Sequence, residues 1–139
     1  KSTMAALEAT LRIYLTEPDL STKLPIVWLL TRTIEEIEKA ATKIVKGLSA
    51  KLRDRVGVSV EAGFSRVGGG SLPMESLPTK LIALKPVHIS PDELAARLRG
   101  RDIPILGRIQ QDIVLLDVRA IRANEENDVR EALLNLNYE

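Results

Sequence analysis

The residues best suited to holding an anion are a run of small residues, Gly68-Gly69-Gly70-Ser71, and two arginines, Arg108 and Arg119. Small residues let backbone N–H groups approach a negative charge closely. The run is neither a dinucleotide fingerprint nor a Walker loop, because Pro73 and Met74 stand where those motifs need glycine or Gly-Lys. No helix is expected directly after it, so Gly69, Gly70 and Ser71 read either as a plain connector or as a loop that lines a site. Arg108 and Arg119 fall within or at the ends of two runs, Ile103 to Ile109 and Ile113 to Ile121, otherwise rich in isoleucine, leucine and valine. A guanidinium in such a setting needs a partner, and its fork matches a carboxylate or a phosphate. The readings open are an internal pair with Asp117 or Asp112, exposure at a strand edge, or an anion site shared with a ligand.

Other chemistries are excluded by what is missing. With no cysteine there is no disulfide framework, zinc knuckle or thiolate nucleophile, which agrees with a reducing compartment. His88 is the only histidine, so a histidine-rich metal site cannot be assembled, nor a Ser-His-Asp triad unless His88 itself serves. Its place just before a helix start reads as surface or loop. The lysines fall on helix faces and in loops, where solvation is the default. No residue in the chain reads as catalytic, and no metal site is expected.

The elements that must position these residues come from hydrophobic period and capping. Ser2 or Thr3 is expected to cap a helix whose apolar residues Met4, Leu7, Leu11, Tyr14 and Leu15 recur at three and four, ending before Pro18. Pro25 to Leu30 reads as a short buried helix with proline in its first turn. Thr33-Ile34-Glu35-Glu36 is a capping box, and Ile34, Ile37, Ala41, Ile44, Val45, Leu48 and Leu52 mark one face of a long helix. Val56, Val58 and Val60 then alternate with polar or small residues at the period of a half-buried strand.

Beyond the glycines, a second strand runs through Lys80 to Leu84 and is ended by Pro86. Ser90-Pro91-Asp92-Glu93 caps a helix carrying Leu94, Ala95 and Leu98 that stops at Gly100. Ile103 to Ile109 and Ile113 to Ile121 are expected to be strands joined by a turn at Gln110-Gln111-Asp112, and Asn124 is expected to cap a last helix. The expected fold is α+β: a small antiparallel sheet with helices packed on one face. Residues 1–32 are expected to lie outside that domain as linking helices, leaving 33–139 as the domain itself.

Composition agrees with a globular chain: 139 residues, 45% hydrophobic and 28% charged. A net charge of +1 is far from the basic excess that counterion-release binding needs, so strong nucleic-acid binding by these residues alone is not expected. No apolar run reaches the roughly 20 residues that span a bilayer. Lys1-Ser2-Thr3 leads straight into a helical pattern, which reads as a fragment or a trimmed chain and not as a signal peptide.

The stretch Met4-Ala5-Ala6-Leu7-Glu8-Ala9-Thr10-Leu11-Arg12-Ile13-Tyr14-Leu15 resembles the A-A-L-E-A-T-L-R-x-Y-L block of bacterial selenocysteine synthases, the L-seryl-tRNA(Sec) selenium transferases. Further blocks agree in the same order. They are Leu24-Pro25 with Leu29-Leu30-Thr31-Arg32, Gly68-Gly69-Gly70-Ser71-Leu72-Pro73 for G-x-G-S-L-P, and Leu106-Gly107-Arg108-Ile109 with Leu115-Leu116-Asp117-Val118-Arg119 for G-R-I and L-L-D-L-R. Gln110-Gln111 departs from the family's Asp-Gly-like turn, and Ala120 stands where the family has threonine.

That resemblance implies a fold-type-I pyridoxal-phosphate enzyme, with this chain as its C-terminal small domain. The implied reaction turns seryl-tRNA(Sec) into selenocysteinyl-tRNA(Sec) with selenophosphate, the cofactor ring serving as electron sink. The implied cofactor lysine belongs to an S-G-D-K-x-x-G-G-P-Q motif that does not occur here, so pyridoxal phosphate is expected to be bound by a large domain outside this chain, and the chain is expected to be inert alone. The family further implies a cytoplasmic homo-oligomer. An arginine that meets the substrate in related small domains matches Arg119 first and Arg108 second; here it is expected either to meet an anion or to hold the domain together. The rival readings are a paralogous pyridoxal-phosphate enzyme acting on a small substrate, and a module that serves only for assembly.

Overall fold

The computed structural model describes residues 1–66 and 76–136. The chain divides into two compact units, Lys1–Arg32 and the part from Thr33 onward. The first unit holds α1 (Ser2–Thr16), α2 (Leu20–Lys23) and α3 (Pro25–Thr31). Lys1, not Ser2 or Thr3, occupies the cap position of α1 and no side chain caps it; Glu8 and Arg12 form an i,i+4 ion pair along its surface. Asp19 caps α2 through the Ser21 N–H, and Pro25 opens α3 as expected, since proline's missing N–H costs nothing in a first turn. Contrary to expectation α3 is not buried: Val27 to Leu30 are half-buried, because a unit of this size has too little mass to enclose them.

In the second unit the helix expected from Ile34 through Leu52 is two helices, α4 (Ile34–Lys46) and α5 (Ala50–Arg55). Ser49 interrupts it by accepting the Leu52 N–H and restarting the helix, while Leu48 and Leu52 stay buried and preserve the apolar period across the break. The capping box at Thr33 and Glu36 forms with both reciprocal bonds. α6 (Pro91–Arg99) is capped by Ser90 as expected. α7 (Glu126–Leu134) is not capped by Asn124; a turn in which Arg122 N–H donates to the Glu125 carboxylate precedes it.

The strands are β1 (Val58–Arg66), β2 (Ser76–Leu84), β3 (Arg108–Gln110) and β4 (Ile113–Asp117), antiparallel in the order β1-β2-β4-β3. The expected strand from Ile103 is much shorter, because Pro104 has no N–H to give a ladder and Ile105 N–H donates instead to Leu98 O at the end of α6. The expected strand to Ile121 stops at Asp117, whose carboxylate accepts the Arg119 N–H and turns the chain through a 3₁₀ turn at Val118–Ala120.

Alternation along the strands sorts the sheet's two faces. Ile82 and Leu84 of β2 and Val114 and Leu116 of β4 meet Ile37, Ala41 and Ile44 of α4, Leu94 and Leu98 of α6, and Val129 and Leu133 of α7 in the core. Leu81, Ala83 and Leu115, with Ile113, make a smaller cluster on the opposite face. The architecture is α+β with helices on one face of an antiparallel sheet.

Candidate functional site

Strand direction brings four termini to one end of the sheet: the close of β1, the start of β2, the close of β4 and the start of β3. Asp117 sits among them. Its carboxylate accepts the Ser65 hydroxyl at 2.6 Å, the Thr79 hydroxyl at 2.8 Å and the Arg119 N–H at 3.1 Å, tying β1, β2 and the turn after β4 to one side chain. Thr79 is buried to 1% exposure, a polar group tolerated there because its hydroxyl is bonded.

Arg119, at 6% exposure, donates from Nη2 to the Pro78 carbonyl at 2.6 Å. The β2–β4 ladder begins only at Leu81, so the Pro78 carbonyl lies outside it and accepts this cation. Arg108 lies instead on the open face, exposed, and donates from Nη1 to Phe64 O of β1 at 3.2 Å. It lines a shallow concavity of about 560 Å³ with Arg66, Glu61 and Gln111 at the rim and Leu81, Ile113 and Leu115 in the floor. Gly63 keeps that floor low: a Cβ on it would stand 2.5 Å from Leu81 Cδ1. Asp112 is exposed at the β3–β4 turn. Gly69, Gly70 and Ser71 lie outside the described residues.

Ser65, Thr79 and Asp117 were not singled out by sequence as a group, although a carboxylate inside Ile113 to Asp117 is itself a signal that donors must converge there. His88 is exposed. Among the lysines whose side chains are described, Lys80 is half-buried in an ion pair with Glu38, Lys43 reaches Glu126, and Lys1, Lys23, Lys39, Lys46 and Lys85 are exposed. No helix among the described residues is long and apolar enough to cross a membrane.

An antiparallel sheet backed by helices on one face, with Arg108 and Arg119 held at one end, defines a small α+β domain. The chain belongs to the L-seryl-tRNA selenium transferase family, whose model matches residues 1–122. It is 40% identical over 133 residues to the L-seryl-tRNA(Sec) selenium transferase of Alkaliphilus metalliredigens, covering 96% of this chain and 28% of that protein. The transferase of the same name from Solidesulfovibrio magneticus is 42% identical over 127 residues, covering 90% and 27%, and that of Geotalea uraniireducens 39% over 121 residues, covering 87% and 26%. The chain therefore spans between a quarter and a third of the length of these relatives.

Proposed function

We propose that this chain is the C-terminal part of an enzyme that converts L-seryl-tRNA(Sec) to selenocysteinyl-tRNA(Sec) with selenophosphate, acting in the cytoplasm as a homo-oligomer. The observation that carries the reading is the family match over residues 1–122, joined to relatives of that name along most of this chain. Residues 1–32 link to the rest of the enzyme and 33–139 form its small domain, a division supported by the two compact units. Pyridoxal phosphate, bound by a lysine outside this chain, supplies the electron sink for loss and addition at the seryl β-carbon.

This chain's contribution is positional. The Asp117 network holds the turn that carries Arg119, and Arg119 either presents charge to an anion or secures the domain through Pro78. Arg108, on the open face, is the second anion-facing candidate. In this reading Gly69, Gly70 and Ser71 are further candidates for binding the anion. The chain alone is inert.

The test is a pyridoxal-phosphate titration of the chain, following the Schiff-base absorbance, then borohydride trapping and peptide mapping. Trapping spread weakly over exposed lysines is the expected result. Stoichiometric labelling of one lysine would place a cofactor site in this chain and overturn the supporting role.

A further inference from the structure

β1 is an edge strand, and the direction of its backbone groups follows from its neighbours. Phe64 stands opposite Pro78, which has no N–H, so that pair is not hydrogen-bonded across the ladder. Lys85 N–H donates to Gly57 O, one step beyond the Val58–Leu84 pair, which puts odd-numbered β1 residues in the bonded positions. The N–H and C=O groups of Val60, Ala62 and Phe64 therefore point outward, and among the described residues no strand lies beside them. On one sheet face these residues also expose apolar side chains, Val60 at 36% and Phe64 at 58%.

We propose that this edge pairs antiparallel with the same edge of a second copy, about a two-fold axis at Ala62. In that register Ala62 meets its own copy, and Val60 of each copy faces Phe64 of the other, an aromatic–β-branched pair made twice. On the opposite face Glu61 meets Gly63 and Ser59 meets Ser65, while Val58 meets Arg66, so no like charges oppose. A two-fold at Val60 or Phe64 loses this match, since neither sets the two exposed apolar side chains against each other. The contact is isologous and joins the two sheets into one. Arg108 does not bar it, because a carbonyl has two acceptor positions and Phe64 O can take both the guanidinium and an incoming N–H.

The apolar face of α1, with Leu7 and Leu11 about half exposed, offers a competing route to association, so the experiment uses the chain carrying Leu7→Glu and Leu11→Glu. Sedimentation equilibrium should show a monomer–dimer equilibrium in that background. Ala62→Pro removes only an outward N–H and leaves the ladder to β2 intact. It should raise the dimer dissociation constant by roughly thirtyfold, two ladder bonds being lost across the axis, with unchanged circular dichroism. Val60→Lys with Phe64→Lys, both at exposed positions, should also abolish dimerisation by setting like charges opposite. A background protein that stays monomeric at high concentration overturns the proposal, as does a dimer that persists in the double-lysine variant.

Discussion

At the candidate site, the role of Asp117 is explained by what its carboxylate accepts. Two hydroxyls from different strands and one main-chain N–H converge on two oxygens. Charge-assisted bonds of this kind are stronger than neutral ones, and removing the acceptor strands every donor. Asp117→Ala is expected to destabilise the chain by about 2–3 kcal/mol in urea unfolding, with Asp117→Asn costing about half as much because one oxygen survives. Equal stability of Asp117→Ala and wild type would show that the network carries no energy. Gly107 has a different reason to be small. A Cβ there would come within 2.8 Å of Val114 Cγ1 and 3.0 Å of Leu116 Cδ2, both inside the core, so the glycine ahead of Arg108 is a packing requirement of β4.

Among the elements, the β3–β4 hairpin departs most from its own ideal chemistry. Gln110 pairs with Ile113, leaving a two-residue turn of Gln111 and Asp112 with φ of 50° and 61°. Two positive values fit a type I′ turn, which asparagine and glycine adopt at far lower cost. The double change Gln111→Asn with Asp112→Gly is therefore expected to raise stability by about 1 kcal/mol, read as a higher urea midpoint at constant slope. No gain, or a loss, would show that these side chains make contacts that offset the backbone strain. Helix starts at Thr33 and Ser90 were legible because a capping side chain and its N3 partner are local. The break before α5 was not, since buried Leu48 and Leu52 continue the period of α4 across it.

For the molecule as a whole, the main hydrophobic core runs from Ile37 to Leu133, within the second unit. Residues 33–139 made alone are accordingly expected to unfold cooperatively at the same urea midpoint as the full chain, within about 0.5 kcal/mol. A midpoint shifted well below that of the full chain would show that residues 1–32 stabilise the domain. α1 has no buried residue and leaves Met4, Leu7, Leu11 and Leu15 at least half exposed.

The sequence by itself determined the fold class, the family and the position of most helices, because apolar period, caps and motif blocks are written in residues near one another. It also marked Arg108 and Arg119 as charged residues in apolar runs. Only the tertiary structure decided their different fates. Arg119 is buried against the Pro78 carbonyl, 41 residues away in the chain, while Arg108 lies on the open face against Phe64. Strand register brings those acceptors to the arginines, and register is set by which faces are buried across the whole sheet, a property no local stretch contains.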